Sequence, residues 1–489
     1  MATSSAPKPI AVVVLAAGKG TRLPGAVPKA LVECLGEPLL AHVRRAVATL
    51  HPRTSVVVVG HGKERVQAWL ELAWPAARVA VQEPQNGTGH ATRVAMAAIP
   101  EFRGDVVVVC ADVPQLTSDD LAALVAAHRR SGAAATVLVG EARDPRSLGR
   151  VERGEGGRVV RIVEARDATP EQLSLTEFNT GIYVFDAAHL RPALDVLQKG
   201  NAQGEEYLTD VVAALATAGY RVDGLRAVEA EALLGVNTPA DLAVAVAALR
   251  RRTVGAHLAA GVQIVDPAST VIEEGVRIAP GARILPFTYI AHGCTIGPDC
   301  VVGPFAHLRG GTVLEAGAIV GNFVEAKAAL LRKGAKAKHL TYLGDAEIGE
   351  GANIGCGTIT ANYDGKRKHR TTVGPGAHIG SGTVLVAPVT VGAGARTGAG
   401  TVVPANRDVP PGVTVIGVPA HPIGARAPTP APPKASPRPT RIPASPPVRS
   451  PGSLKKAAAP ASARKKRSPA SSSERARRHR TKQSRKTHP

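Results

Sequence analysis

The chain of 489 residues is marked first by what it lacks. None of its five cysteines (Cys34, Cys110, Cys294, Cys300 and Cys356) stands in a CxxC or CxxH spacing, and no disulfide framework is suggested. They read as reduced, mostly buried thiols of a cytosolic protein. No apolar run approaches the length that spans a bilayer, so membrane insertion is not expected. Lys8 followed by Ile10–Ala17 imitates a signal peptide, but a Gly-rich basic loop follows at once, which favours a buried first strand. Neither common phosphate loop is present. There is no G-x-x-x-x-G-K-[ST], and Leu23 replaces the third glycine of G-x-G-x-x-G. Acids almost vanish beyond Arg426. The last segment holds eighteen Lys or Arg against Glu474 alone, and so carries seventeen of the net +21. Residues 425–489, rich in Pro, Ala, Ser and cations, therefore read as a disordered tail. The tail reads first as a solvated, solubilising extension and second as a segment weakly attracted to nucleic acid or another polyanion in a salt-dependent way; no aromatics interleave its charges, which argues against base readout.

What is abundant is a period. Ile272, Ile278, Ile284, Ile290, Ile296, Val302, Leu308, Leu314 and Val320 recur every six residues. Two positions before each comes a small or branched side chain: Thr270, Val276, Ala282, Thr288, Cys294, Cys300, Ala306, Thr312 and Ala318. Helices do not repeat in sixes and ordinary strands alternate in twos, so the pattern predicts a parallel β-helix built of hexads. The phase returns at Ile348 and Ile354, then at Val373, Ile379, Leu385, Val391 and Val403. Two breaks separate these runs, and both are rich in polar groups. The first holds Asn322, Lys327, Lys333, Lys336, Lys338, His339, Tyr342 and Asp345; the second holds Asn362, Tyr363, Asp364 and the cations 366–370. A basic cluster beside a histidine suits an anionic substrate next to a proton acceptor, as acetyl transfer from a thioester to an amine requires. Read alone, His339 is more often structural, and Arg309 and Lys327 are more often a solvated charged face.

The N-terminal half reads differently. Short apolar runs at 10–15, 55–59, 105–110 and 135–139 alternate with helix-like stretches at 39–50 and 119–131. That alternation predicts a doubly wound, mainly parallel, Rossmann-like sheet. Directly after the first run, Gly18 and Gly20 let backbone amides approach phosphates, while Lys19, Arg22 and Lys29 supply charge. Gln82 and the segment 87–90 form a compact polar loop. Asp112 ends a strand where open α/β sheets bind ligands, and a carboxylate there holds Mg²⁺ with few protein partners. Read alone, Asp112 is as readily an N-cap or turn residue before Pro114, and Asn237 is more often a turn residue before Pro239. An Ala-rich helix at 240–260 is expected to join this domain (1–239) to the β-helix (261–424).

The run LAAGKGTRLPGAVPKAL resembles the sugar-nucleotide pyrophosphorylases. With NGTGHA (86–91), ADVP (111–114), GRV (149–151), IVEARDAT (162–169), FNTGIYVF (178–185), NAQGEEYLTD (201–210) and GVNTPADL (235–242), the chain resembles one family in order. These are the bifunctional UDP-N-acetylglucosamine pyrophosphorylases/glucosamine-1-phosphate N-acetyltransferases. GPFAHLR, GNFVEAK, KHLTYLGDAEIG, ANIGCGTITANYDG and GSGTVLVAPVTVG extend the resemblance through residues 303–424.

The resemblance implies that Leu15, Ala16, Ala17, Gly18, Gln82, Gly87 and Thr88 hold the uridine and phosphates of UTP. It places Arg22 and Lys29 on the triphosphate, Cys110, Ala111 and Asp112 at the nucleotide-sugar site, and Gly149, Glu164 and Asn179 on N-acetylglucosamine. Asp112 and Asn237 are the implied Mg²⁺ ligands. In the other half it implies His339 as general base, with Arg309, Lys327, Tyr342 and Asn353 on glucosamine-1-phosphate. Cys356, Asn362, Tyr363, Ser381 and Ala399 line the implied acetyl-CoA groove. A left-handed coil and a homotrimer with acetyl sites between subunits are implied as well. Three departures stand out. An aromatic-glycine pair before the metal aspartate is replaced by Cys110-Ala111; the solenoid before Arg309 is shorter by roughly two coils; and a CoA-contacting arginine falls at Gly417. A second reading keeps only nucleotidyl transfer, with the β-helix as a trimerisation scaffold. A third makes the tail a polyanion-docking module.

Overall fold

The valine runs of the N-terminal half carry no polar side chains to satisfy in water, so they are stable only when covered on both faces. Ile10–Ala16 is accordingly an interior strand of a sheet, parallel to Thr54–Val59 on one side and Asp105–Cys110 on the other. Successive residues face opposite layers. Ala11 and Val13 enter one apolar core, and Val12 and Val14 enter the other. The structure, a computed structural model, describes residues 8–423 except Pro24 and Arg146. The tail expected at 425–489 lies outside the described residues.

Arg78–Val81 extends the sheet beyond Thr54–Val59, parallel to it. On the other flank, Glu177–Asp186 runs antiparallel between Asp105–Cys110 and Ala135–Glu141. Val222–Arg226 then closes that edge, parallel to Ala135–Glu141. Helices Leu39–Ala48 and Ser118–Ser131 bury Leu40, Val43, Leu121 and Leu124 on one face. Thr88–Ala97, Ala187–Asp195 and Thr209–Thr217 cover the opposite face.

Thr238 starts the connecting helix Pro239–Ala259, its hydroxyl accepting from the Asp241 amide while Asp241 reciprocates. Beyond it, both hexad columns turn inward as the period requires. Ile272, Ile284, Ile290, Val302, Leu308 and Val320 are all fully buried, as are Thr270, Ala282, Cys294, Cys300, Thr312 and Ala318. Coils pair in parallel, Arg283 with Val301 and Val301 with Ile319, eighteen positions apart. The small column is also self-satisfying: the Cys300 thiol donates to the Glu315 carbonyl and the Thr312 hydroxyl to Arg309 O.

The first break is a slip of phase and not an excursion of the chain. Ile319 pairs with Lys336 and Lys336 with Asn353, only seventeen positions apart. Two consecutive coils are each one residue short, so the phase slips while the wall continues through strands Ile319–Lys327 and Lys336–Gly344. The second break is a genuine excursion, because Asn353 next pairs with His378, twenty-five positions on. The surplus forms a basic hairpin closed by a Tyr363–Lys368 bridge. Among the described residues no helix is long and apolar enough to cross a membrane, and all five cysteines are free.

Candidate active sites

The strand end at Ala16 and the helix start at Thr88 leave a cleft of about 440 Å³ above the sheet. Leu15, Ala16, Ala17, Gly18, Lys29, Gln82, Gly87, Thr88, Cys110, Ala111 and Asp112 all line it, joined by Lys19, Gln85 and Glu205. Gly20 has a positive φ, and a β-carbon there would lie 2.8 Å from Cβ of Lys29, so only glycine lets the lysine stem pass. Gln82 is buried and fixed, its amide donating to the Gly87 carbonyl at 2.8 Å. Arg22 is not brought into the cleft; its side chain is exposed on the turn after Gly20, and Lys19 lines the wall instead.

At the floor, Lys29 Nζ donates to the Asp112 carboxylate and to Asn237 Oδ1, the latter at 2.8 Å. Asp112 and Asn237 are far apart in sequence, but the Val236 amide donates to the Asp112 carbonyl at 2.8 Å and brings the two segments together. A carboxylate and an amide oxygen that converge on one ammonium already form a cation-binding corner. Hard oxygens of this kind fit Mg²⁺, which needs few protein ligands. Among the described residues no group of three His, Cys, Asp or Glu side chains forms a richer metal site.

Gly149, Glu164 and Asn179, expected on the sugar, are not among the residues that line the cleft. Gly149 accepts from the Asn179 amide at 2.9 Å, and a β-carbon at Gly149 would lie 3.4 Å from a Glu164 oxygen. Asn179 Oδ1 in turn accepts from the Gly181 amide, whose residue packs against the Cys110 thiol. Burial pushes Glu164 above the ordinary carboxylate range, although the Thr209 hydroxyl donates to it at 3.3 Å. Burial, helped by the charge on Asp112, pushes Cys110 up to about 12, so its thiol is a neutral wall.

In the β-helix, His339 is exposed on strand Lys336–Gly344 and stands beside Asn322 in the register. Its Nδ1 lies 2.7 Å from Asn322 Oδ1. An amide oxygen only accepts, so Nδ1 is the donor in this contact, and in the neutral ring that leaves the lone pair on Nε2. Sequence reasoning quoted Asn322 without giving it a role.

The corner above His339 is filled and the corner below it is bare. Phe287, Phe305 and Phe323 stack outward, with centroids 4.8 and 5.2 Å apart, and Leu340 continues their column. The same corner then becomes Cys356-Gly357, Ser381-Gly382 and Ala399-Gly400. Backbone bonds join it coil to coil, Gly382 N to Cys356 O and Gly400 N to Ser381 O. Small residues thus leave this corner bare from His339 downward. Gly417 comes next in that column, and a β-carbon there would lie 2.8 Å from the His421 ring.

On the adjoining face, Arg309 and Lys327 are register neighbours. Arg309 pairs with Glu325 at 2.8 Å and Lys327 with Asp345 at 3.0 Å. Tyr342 and Asn362 close on Gly344, where a β-carbon would lie 2.5 Å from the Tyr342 hydroxyl. The basic hairpin adds Lys368, which the sequence singled out only as one of five cations. Its ammonium meets that of Lys327, a contact that lowers its pKa. The Asp345 carboxylate, which pairs with Lys327, supplies countercharge to both. Asn353 is not part of this cluster within one chain, since it stands beside Lys336 on the other side of the His339 corner. Tyr363 is exposed on the hairpin, with its hydroxyl on Gly365 O.

Comparisons with known proteins agree with this division. Residues 12–218 match the MobA-like NTP transferase domain, and residues 269–304 and 293–326 match the bacterial transferase hexapeptide (six repeats). The chain is similar to the bifunctional protein GlmU of Thermobifida fusca, 44% identical over 449 residues, covering 84% of this chain and 92% of that protein. It is also similar to the bifunctional protein GlmU of Mycolicibacterium vanbaalenii, 45% identical over 444 residues, covering 83% of this chain and 90% of that protein.

Proposed function

This chain belongs to the bifunctional GlmU family, and from that membership we propose how its two sites share one synthesis. It is a two-activity transferase: acetyl-CoA acetylates glucosamine-1-phosphate, and UTP then uridylylates the N-acetylglucosamine-1-phosphate formed. The observation that carries the reading is the convergence of Asp112 and Asn237 on the Lys29 ammonium at the floor of a phosphate-sized cleft.

In the acetylation, Arg309, Lys327, Tyr342 and Lys368 hold the sugar phosphate. His339 Nε2 takes a proton from the amine as its nitrogen attacks the thioester carbonyl. The C–S bond breaks, and the departing sulfur of CoA takes up a proton. Asn322 holds the imidazole in the tautomer that this requires. Cys356, Ser381 and Ala399 leave room for the acyl donor along the bare corner, with Asn362 and Tyr363 at its edge.

In the uridylyl transfer, a phosphate oxygen of the sugar attacks the α-phosphorus of UTP in line, and pyrophosphate departs. Positioning and charge neutralisation dominate such a step. Asp112 and Asn237 would hold Mg²⁺, which supplies countercharge to the triphosphate when bound. Lys29 then shifts from the carboxylate to the phosphates, backed by Lys19 and the backbone amides after Leu15. Gly149, Glu164 and Asn179 seat the sugar beside Cys110. Arg22 stands outside the cleft and takes no part in this arrangement.

The exposed phenylalanine stack supports a homotrimer in which each corner is covered by a neighbouring copy, and Asn353 then completes a neighbour's sugar site. Product analysis tests the whole reading with purified protein, Mg²⁺, UTP, acetyl-CoA and glucosamine-1-phosphate. Omitting acetyl-CoA should abolish UDP-N-acetylglucosamine. Supplying N-acetylglucosamine-1-phosphate should restore it. Failure of that restoration would defeat the two-step order.

A further inference from the structure

Four consecutive coils present the segments Lys336–His339, Asn353–Cys356, His378–Ser381 and Arg396–Ala399 side by side. Each ends at the corner that forms the bare groove. Each begins three positions earlier on a flat outer face, about 10 Å away at strand spacing. That face carries Lys336, Lys338, His378 and Arg396, all exposed, and none of the four segments contains an acid. Neither Lys336, His378 nor Arg396 makes a salt bridge among the described residues, and neither do Arg277 and Arg283, whereas Arg309 and Lys327 on one adjoining face and Arg332 and Arg370 on the other are paired with carboxylates. Between the unpaired column and the corner lie Gly355, Gly380 and Gly398, so no side chain separates them.

Lys336 and Lys338 on one coil and Arg396 three coils on, with Asn353 and His378 between them, have no carboxylate in this strip to offset their charge. A solvated solenoid face normally mixes the two signs, as the Arg332–Glu347–Arg370 network does here. An acid-free column beside a substrate groove is what a polyanion needs. The acyl donor brings one, because its thioester is carried at the end of a long arm attached to a nucleotide with three phosphates. With the thioester at His339, that arm runs down the bare corner past Cys356 and Ser381 and reaches the level of Arg396. At Gly417, the next position of the corner, the chain offers no side chain of its own, and the His421 ring stands beside it.

We propose that His378 and Arg396 form the phosphate-holding edge of the acyl-donor site and grip the nucleotide end of CoA across the glycine strip. The proposal rests on the acetyltransferase reading of the bare corner and assigns two residues to it that neither the motifs nor the pairing of charges had marked.

Calorimetry on the full-length protein tests this with two probes, CoA and adenosine 3′,5′-bisphosphate. The double variant Arg396→Gln/His378→Gln should raise the CoA dissociation constant roughly tenfold, the size of one charge-assisted contact. It should weaken the bisphosphate similarly, while Arg396→Lys retains most of the affinity. Uridylyl transfer by the same variants should be unchanged, which reports that the fold is intact. Unchanged CoA binding in the double variant overturns the proposal, as does equal loss in Arg396→Lys. Failure of the wild type to bind CoA overturns it too. Wild-type protein that binds CoA through these residues yet releases none from acetyl-CoA would sink the acetyltransferase reading and leave this site standing.

Discussion

His339 Nδ1 lies 2.7 Å from the side-chain oxygen of Asn322, its register neighbour on the preceding coil. The contact decides which imidazole nitrogen is basic. Asn322→Leu keeps the side-chain volume but removes the acceptor, so both tautomers become populated and the ring turns freely. Acetyl transfer should fall about tenfold or more in kcat, with KM for glucosamine-1-phosphate little changed. Asn322→Asp restores an acceptor and should recover part of the rate while shifting the acidic limb of its pH profile upward. Steady-state CoA release across pH checks this, and an unchanged kcat in Asn322→Leu contradicts it.

The bare corner makes a steric prediction. Ala399 is exposed and has ordinary backbone angles, so Ala399→Trp fills the groove without backbone strain. KM for acetyl-CoA should rise roughly tenfold or more, from the arm's lost seat. Pyrophosphate release from UTP should be unaffected. Equal loss of both activities would mean damage to the fold.

Glu164 gives a pH dependence. Burial raises its pKa in the folded protein above the ordinary value of 4.5, against a weaker lowering by Thr209. A raised folded pKa favours the protonated form, so the contribution is fully present below the unfolded pKa and is lost as pH rises through the folded one. Glu164→Gln has no such loss. The melting temperature of the variant minus that of the wild type should therefore grow from about pH 4 to about pH 8. A flat difference contradicts the burial argument.

The phenyl stack predicts assembly. Phe305 has a φ of 53°, which aspartate tolerates better than most residues. Phe305→Asp places a charge in the middle of the stacked rings and should shift the mass by light scattering from trimer toward monomer. Acetyl transfer should fall with it and uridylyl transfer persist. A mass unchanged by the substitution means that the rings face solvent or another partner.

Strong periods were legible in the sequence, and contacts between distant segments were not. Ile272 to Val320 read directly as a solenoid because one inward aliphatic per hexad is forced by the fold. The valine runs gave the parallel strands, but Glu177–Asp186 was visible only as a motif, since an antiparallel insertion carries no sign of its direction. At the sites, the glycine and lysine residues of the first loop were readable, whereas the Lys29 bridge required folding to bring Asn237 to Asp112. Asn322 and Lys368 escaped notice as functional groups for the same reason: each matters through a neighbour on another coil. Seventeen-residue coils hid the continuity of the wall, because one missing residue per turn destroys the hexad phase while leaving the strand pairing intact.

The division of labour between the two halves is tested most directly by assaying CoA release and pyrophosphate release in parallel on His339→Ala and Asp112→Asn. Loss of the general base should reduce CoA release by a factor of about a hundred or more and leave pyrophosphate release intact. Loss of the carboxylate charge beside Lys29 should do the reverse. Either variant losing both activities, or neither, contradicts two independent sites in one chain.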